Sequence, residues 1–357
     1  QARRAFDLAS GEIHASSQQV IERSFGLCSH TLRQQASAGL GALGSVNVAS
    51  QPLAQRQLFQ SAALGDSDEA SAAQGDGRRA TAWATALGSR GTFKGDGNAA
   101  QQDWWSAGIA GGYEGEVELG SGTAFAGFGV GYLRSHGSLD ARRSSFDADG
   151  LHLGVYGGWE EKPWRLTGSL AYAANRVSTE RRISFGGVER TAEADHSAHS
   201  IGFSGEAAYG IELGSETTLL PLVTLDSGWS RHNGFKESGA GALNLSASAE
   251  SWTRFDGGLG LGISHVIPGE AGGLRLEVRV VWEHAFGDVT PGRSLTFSGS
   301  PTEFDVRGPS ANRDRLRLGA GLAWDVSDDV SLGASYEGLF AKDQHTHSGA
   351  LRLGIKF

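Results

Sequence analysis

The last ten residues of the chain, Ser348 to Phe357, read SGALRLGIKF. Apolar side chains occupy every second position of this stretch and end at Phe357, whereas Arg352, Gly354 and Lys356 fall between them. A period of two gives a β-strand one apolar face and one polar face. The stretch therefore predicts an amphipathic strand that ends the chain on an aromatic residue.

The same alternation recurs from Arg78 onward. Between Leu274 and Trp282, for example, apolar residues alternate with Arg275 and Glu277. We predict twelve strands of this kind, at residues 79–93, 103–118, 122–136, 149–161, 163–180, 197–213, 217–232, 249–266, 273–287, 312–326, 329–342 and 346–357. Polar or charged residues oppose the apolar face in each.

The composition favours many short strands over a helical enzyme. The 357 residues include 54 glycines and only 7 prolines, and 39% of them are hydrophobic. No stretch approaches the ~18 consecutive apolar residues of a membrane-spanning helix. A β-barrel presents only every second residue to lipid, so this composition is compatible with a membrane barrel. The net charge of -9 argues against a nucleic-acid partner.

The connections between the predicted strands alternate between short turns and long polar loops, the latter including Arg181 to His196, His232 to Ala249 and Asp288 to Ala311. Aromatic residues fall near strand ends, as in the interfacial girdles of membrane barrels, and we assign six of them to such girdles: Trp104, Trp159, Trp164, Trp229, Trp282 and Trp324. These features predict an all-β protein, a twelve-stranded antiparallel up-and-down transmembrane β-barrel. A soluble β-sandwich is the alternative that alternation alone leaves open.

The first 77 residues differ from the rest. Residues 1–38 have apolar residues at helical spacing and no proline, which predicts an α-helix. Its apolar stripe is narrow, so polar surroundings are expected. Residues 39–77 are a Gly, Ala, Ser and Gln-rich linker. The barrel is expected to occupy residues 78–357. Its even strand number places both ends of the barrel on the periplasmic side, so the helix lies next to the pore.

The chain resembles the translocator (β) domain of autotransporters, the type V secretion family. The resemblance rests on LASGEIHAS at Leu8–Ser16, on AWATALGSRG at Ala82–Gly91 with the following GDGNA at Gly95–Ala99, and on the terminal Phe357. It implies that the helix occupies the barrel pore. It also implies that the domain transports an amino-terminal passenger across the bacterial outer membrane and anchors it at the cell surface, or that the passenger is then released.

The alternation and the resemblance together predict specific roles for charged residues. The expected pore lumen contains Glu114, Glu116, Glu206, Glu277, Arg279, Arg315, Arg317, Arg352 and Lys356. The expected plug helix would meet them with Arg4, Glu12, Glu22, Arg23 and Arg33, through ion pairs that are individually weak in water. Phe357 is expected to be the barrel-assembly signal. The expected partners are the passenger, outer-membrane lipids and lipopolysaccharide, the barrel-assembly machinery and periplasmic chaperones, with the chain itself a monomer.

Two short motifs do not predict catalysis, and the helix has no asparagine of the kind used in self-cleavage. Gly65-Asp66-Ser67 resembles the start of one lipase class but lies in the linker. His345 and His347, after Asp343, share one strand face but have no third metal ligand nearby in sequence, so a polar loop tip is expected. Some autotransporters cleave their passenger inside the barrel with a helix asparagine, and no asparagine precedes Asn47. We expect no enzyme, cofactor or metal site, although acid-assisted self-cleavage stays open.

Two other functions remain open from the sequence. A porin-like channel would need no helix and linker before its first strand. An adhesin would make its contacts through the long extracellular loops. The amino-terminal segment favours the translocator over both.

Overall fold

The computed structural model describes residues 78–94, 101–139, 143–185, 188–269, 273–287, 289–299, 302–307 and 311–357. The expected helix at 1–38 and linker at 39–77 lie outside these residues. Within the described ranges, no helix has the length and apolar content to cross a bilayer.

The described residues are dominated by β-strands. Seventeen strands follow one another: β1 Arg78–Phe93, β2 Gln102–Leu119, β3 Gly122–Leu139, β4 Ser144–Glu161, β5 Trp164–Phe185, β6 Val188–Tyr209, β7 Ile211–Glu212, β8 Thr217–His232, β9 Phe235–Lys236, β10 Leu245–Ala247, β11 Glu250–Ile267, β12 Gly273–Phe286, β13 Gly292–Phe297, β14 Glu303–Arg307, β15 Asp314–Ser327, β16 Val330–Ala341 and β17 Gln344–Lys356. A single turn of 3-10 helix, Gly241–Leu243, precedes β10.

Twelve of these strands form a closed antiparallel barrel. The ring runs β1-β2-β3-β4-β5-β6-β8-β11-β12-β15-β16-β17, and β17 pairs with β1 to complete it. The short β7 adds to one end of β8. At the seam Ala86 pairs with Leu351, and the terminal Phe357 exchanges backbone hydrogen bonds with Ala80. The predicted barrel and its strand number are confirmed.

Alternation decides what each strand presents to the two sides of the barrel. On β12, Val278 is 62% exposed on the outside, whereas its neighbour Glu277 is only 5% exposed on the inside. Glycine or alanine fills many remaining positions. The barrel thus has an apolar outer face and a lumen lined by polar, charged and aromatic side chains.

Two rings of outward aromatic residues mark the limits of the lipid-facing band. The ring near the long loops contains Trp105, Tyr132, Tyr172, Trp229, Trp282 and Tyr336, and the ring near the short turns contains Trp159, Trp164, Tyr209, Trp324 and Phe357. From Trp164 to Tyr172 on β5, a tilted strand rises about 20 Å. This height suits the hydrocarbon layer of an outer membrane.

One girdle assignment from the sequence is wrong. Trp104 is 3% exposed and points into the lumen, where its ring lies over Gly91. Its neighbour Trp105, 45% exposed, takes the girdle position instead. Adjacent residues of a strand face opposite sides, so only one of the two indoles can reach the membrane interface.

The predictions of long loops at Arg181 to His196, His232 to Ala249 and Asp288 to Ala311 are also partly wrong, because these segments contain strands. β5 and β6 each have 22 residues and continue as a hairpin through the segment expected as a loop at Arg181 to His196. The other two loops supply β9, β10, β13 and β14, which form a separate sheet in the order β14-β13-β10-β9. We call residues 233–249 and 289–307 together the cap, within the described ranges.

The cap packs on the hairpin face that continues the lumen wall. Phe235, Leu245, Leu295 and Phe297 bury their side chains together with Ala194 of β6. Arg181 of β5, 1% exposed, forms an ion pair with Glu237 at 2.5 Å. Both Ala194 and Arg181 are inward-facing residues, so the cap lies over the mouth of the barrel on the β5–β6 side.

A second arginine fixes the cap internally. Arg293 of β13 donates hydrogen bonds to the main-chain carbonyls of Asn233 and Ser248, and its guanidinium lies 4.8 Å from the centre of the Phe235 ring. Burial lowers the pKa of Arg293 to about 10. The side chain therefore remains charged at neutral pH and joins the two loops of the cap.

Candidate functional site: the barrel lumen

The lumen has two walls of different chemistry. Strands β5 to β16 carry what we call the charged wall, which contains Arg165, Glu206, Asp226, Asp256, Glu277, Arg279, Glu283, Arg315, Arg317 and Glu337. Strands β1 to β4 carry the aromatic wall, which contains Trp83, Leu87, Trp104, Ala110, Leu133, Phe146 and Tyr156. All are inward-facing by the alternation of their strands and largely shielded from solvent.

Ion pairs of the charged wall join strands that are not neighbours in the barrel. Arg165 of β5 donates to both carboxylate oxygens of Glu277 on β12, at 3.1 and 3.3 Å, although three strands lie between them. Arg279 of β12 reaches Glu206 of β6 at 3.1 Å. Side chains of this length therefore bridge a chord of the lumen near the end that carries the short turns.

A second cluster continues the wall toward the cap. Arg317 of β15 contacts Asp226 at 3.5 Å and also forms an ion pair with Glu283. Arg315 contacts Glu283 at 3.1 Å and Asp256 at 2.8 Å. Glu283 is thus shared by two arginines, and Asp226 lies close to one.

Burial makes these pairs sensitive to the loss of either partner. Removing charges from water is expensive, and the attraction between partners offsets that cost only when the geometry is good. Charge-assisted hydrogen bonds such as Arg165–Glu277 meet this condition because the guanidinium engages both carboxylate oxygens. The side chains of the charged wall are therefore held in fixed positions, unlike the charged side chains of an exposed surface.

The aromatic wall is built from rings that lie over glycines. The Trp83 ring covers Gly112 and the Tyr156 ring covers Gly127, so a Cβ atom at either glycine would meet ring atoms at 2.5 Å. The rings of Trp83 and Tyr156 also meet each other edge to face, with centroids 6.2 Å apart. Glycine on one strand thus makes room for a large ring from the next.

The structure places the predicted lumen residues as follows. Glu206, Glu277, Arg279, Arg315 and Arg317 belong to the charged wall described above. Glu114 lies 4.0 Å from Arg352, whose guanidinium is 5.6 Å from the centre of the Trp83 ring. Lys356 contacts Asp325 at 3.2 Å, and Glu116 is half-buried near the end of β2.

Five members of the charged wall were absent from the sequence-based list: Arg165, Asp226, Asp256, Glu283 and Glu337. Each occupies the polar side of an alternating strand, so the period of two could have found them. The plug residues Arg4, Glu12, Glu22, Arg23 and Arg33 lie outside the described residues.

The histidines near the last loop make different contacts. His345 and His347 both lie on the outer face of β17, and Tyr336 is hydrogen-bonded to His347 at 2.8 Å. Among the described residues, no three His, Cys, Asp or Glu side chains come close enough together to hold a metal ion.

Comparison with known proteins gives a consistent result. The family model described as Autotransporter beta-domain matches residues 82–337. An extracellular serine protease of Serratia marcescens is 26% identical over 348 residues, which cover 95% of this chain and 32% of that protein. The chain thus spans about a third of the length of this curated relative.

Solved structures agree on the fold. The translocator domain of the autotransporter NalP from Neisseria meningitidis has a TM-score of 0.65 at 19% identity, covering 89% of this chain and 99% of that one. The β domain of the Bordetella autotransporter BrkA has a TM-score of 0.57 at 20% identity, covering 77% and 98%. With its closed twelve-stranded ring and its match to the family model over residues 82–337, the chain belongs to the autotransporter β-domain family, the translocator barrels of the outer membrane.

Proposed function

We propose that this barrel transports a passenger, joined to the amino-terminal side of the chain, through its lumen and anchors it at the cell surface. The observation that carries the proposal is a closed barrel with an apolar exterior and a lumen of ion pairs and rings. The domain itself is not catalytic. The name of the Serratia relative suggests a secreted protease as the passenger of the precursor.

Export can be tested with a reporter domain fused ahead of Gln1 behind a signal peptide. We expect an added protease to cleave the reporter on intact cells while the barrel stays folded in the outer membrane. A reporter that remains in the periplasm, with the barrel correctly inserted, would contradict transport and favour the porin-like alternative.

Residues 1–38 are proposed to plug the lumen as a helix. The charges of Arg4, Glu12, Glu22, Arg23 and Arg33 match a lumen that offers both guanidinium and carboxylate groups. The lone cysteine of the chain, Cys28, lies in this segment and serves as a natural probe. In native membranes it should react with a small charged thiol reagent far faster than with a 5-kDa maleimide polymer, about the size of a small protein domain. Equal rates for both reagents would place the segment outside the lumen.

Passenger release is proposed to be independent of the charged wall. Glu206, Glu277 and Glu283 each lie close to at least one arginine. Arginines occupy the oxygens of these carboxylates, so the carboxylates are poorly placed to exchange a proton with a passenger segment. Glu206→Gln should leave the size of the surface-exposed passenger unchanged. A longer, uncleaved product would instead assign self-cleavage to the lumen.

Phe357 is proposed to act in assembly, where the barrel-assembly machinery and periplasmic chaperones would recognise the last strand. Phe357 is 71% exposed, and the centre of its ring lies 5.8 Å from that of Tyr113. Deletion of Phe357 should reduce the amount of folded barrel in the membrane without affecting synthesis. The Tyr113→Leu variant, which loses only the ring contact, is the control. We also propose that the mature barrel is a monomer in contact with lipopolysaccharide.

A further inference from the structure

A shallow depression interrupts the outer face of the barrel next to its seam. Gly349 of β17, Gly88 of β1 and Ala107 of β2 lie side by side on three neighbouring strands. All three face outward: Gly88 and Ala107 are exposed, and Gly349 is partly exposed. Because facing Cβ positions on paired strands are only about 5 Å apart, three small residues in a row leave a continuous gap in the layer of outer side chains.

Basic and aromatic side chains border this gap on its extracellular side. His347, Arg90 and Trp105 form the next row of the same three strands, since Arg90 pairs with both of the others. His136 continues that row on β3, where its ring is 6.2 Å from that of Trp105. Arg134 stands beside Ala107 in the lower row. We call these five side chains the basic rim.

In the described part of the chain, two carboxylates lie within 4 Å of the basic rim, and both are on one side of it. Arg134 and His136 face Asp147 at 3.9 and 3.1 Å, and Arg134 is also 4.0 Å from Asp149. These carboxylates all lie on β4, on the far side of the rim. Arg90 has no carboxylate within 4 Å among the described residues; Asp103, one row further out, accepts a hydrogen bond from Thr92.

The membrane side of the depression is apolar. Leu351, Ala86 and Ile109 form the row directly below the small residues, and Leu351 and Ile109 are each 66% exposed. Trp105 and Tyr132 belong to the aromatic ring that marks the outer limit of the lipid-facing band. The depression therefore sits at the level of the lipid headgroups, with acyl-chain surface beneath it.

We propose that the basic rim and the depression bind a phosphate group on the headgroup of a glycolipid in the outer leaflet. Arg90 and Arg134 would donate charge-assisted hydrogen bonds to the phosphate oxygens, and a sugar ring would rest over Gly88 and Gly349 against the Trp105 face. The acyl chains would follow Leu351 and Ile109. A free phosphate ion would gain nothing from that apolar row. This inference depends on the membrane location of the barrel and not on passenger transport.

The test is lipid retention by the full chain in detergent, measured by native mass spectrometry with bisphosphorylated lipid A as the probe. Wild-type protein should retain lipid A and should bind its dephosphorylated form at least about 10-fold more weakly. The double variant Arg90→Gln/Arg134→Gln should weaken lipid A binding by about 100-fold, since each of the two charge-assisted bonds is worth about a factor of ten. If this variant retained as much lipid A as the wild type, the proposal would be overturned.

A steric variant separates the depression from charge alone. A Cβ at Gly88 would meet only the Ser106 carbonyl oxygen, at an ordinary 3.8 Å, so Gly88→Leu fits the fold and fills the gap without altering charge. It should weaken lipid A binding as strongly as the arginine variant. Unchanged binding would refute a role for the depression.

Two controls identify the ligand source. Arg182→Gln removes an exposed arginine from the outer face of the β5–β6 hairpin, far above the aromatic ring, and should leave binding unchanged. Competition by millimolar inorganic phosphate should fail. Displacement of lipid A by inorganic phosphate would overturn the assignment to a lipid. If Arg182→Gln weakened lipid A binding as much as the double variant, binding would depend on general surface charge and the proposed site would be refuted.

Discussion

The charged wall and the aromatic wall line the same lumen but are held together differently. In the charged wall, Arg165–Glu277 and Arg279–Glu206 connect strands that lie far apart in the ring. In the aromatic wall, Trp83 and Tyr156 fill space left by glycines on adjacent strands. The ion pairs of the charged wall join distant strands across the lumen, whereas the rings of the aromatic wall pack only against neighbouring strands.

One alternating pattern of residues can thus produce two kinds of stabilising contact. Charge-assisted bonds act over the length of two long side chains, so they can span a lumen. Packing of rings is short-ranged and demands that a neighbour be small. The two walls should therefore respond differently to substitution.

The largest effect is expected for Glu283→Gln. Glu283 is 1% exposed and forms ion pairs with both Arg315 and Arg317. Its neutralisation leaves two buried guanidinium groups short of charge, so the free energy of unfolding should fall by about 3–5 kcal/mol. Urea unfolding of the barrel in phospholipid vesicles, followed by far-UV circular dichroism, measures this. A loss below about 1 kcal/mol would mean that water in the lumen solvates these charges, so that the pairs contribute as little as ion pairs on an exposed surface.

The pair Arg165 and Glu277 allows the cross-lumen bond to be isolated. Each single change, Arg165→Met or Glu277→Met, should destabilise the barrel by about 3 kcal/mol because it removes both hydrogen bonds of the pair and leaves one buried charge without its main partner; Arg165 would keep only the longer contact to Glu206, at 3.9 Å. The double variant should return to within about 1 kcal/mol of the wild type, since no unpaired charge remains. Purely additive losses in the same urea experiment would show that the two side chains do not act as a pair.

The aromatic wall should be disturbed by added volume. Gly127→Ala would bring a Cβ atom within 2.5 Å of the Tyr156 ring and 2.8 Å of the Tyr113 carbonyl oxygen. We expect a loss of about 1–3 kcal/mol, typical of overpacking. Gly88→Ala is the matched control because its Cβ has open space apart from one ordinary contact. Equal stability of both variants would contradict the ring-over-glycine account.

The smallest effect is expected outside the lumen. Lys162 and Glu212 form an ion pair at 3.5 Å near the short turns, with side chains 65% and 67% exposed. Glu212→Gln should change the free energy of unfolding by less than about 1 kcal/mol. A larger loss would show that burial does not distinguish the charged wall from surface pairs.

Much of this architecture follows from the sequence, for a physical reason. Alternation is a local property, so it places Glu277 and Arg279 on the polar side of β12 and finds all twelve barrel strands. Partners such as Arg165 and Glu277 depend on the diameter and stagger of the closed ring, which no local pattern contains. The inward position of Trp104 was available from the sequence, because Trp104 and the predicted lumen residue Glu114 are ten residues apart on one strand and therefore share a face.

The β5–β6 hairpin shows a different limit. Between Arg181 and His196 apolar residues are sparse and charged ones common, which is typical of a loop. Ile183 and Ala194 nevertheless form a strand face because the cap, drawn from two distant loops, covers them. Tertiary packing of this kind overrides local preference.

The most direct test of the central claim is single-channel conductance in planar bilayers, comparing the full chain with a version that begins at Arg78. We propose that residues 1–38, which precede β1, plug the lumen, so their removal should open it. We predict small or flickering currents from the full chain and large, stable currents from the shortened one. Equally large conductance from both would contradict the plug and leave the barrel as an open channel.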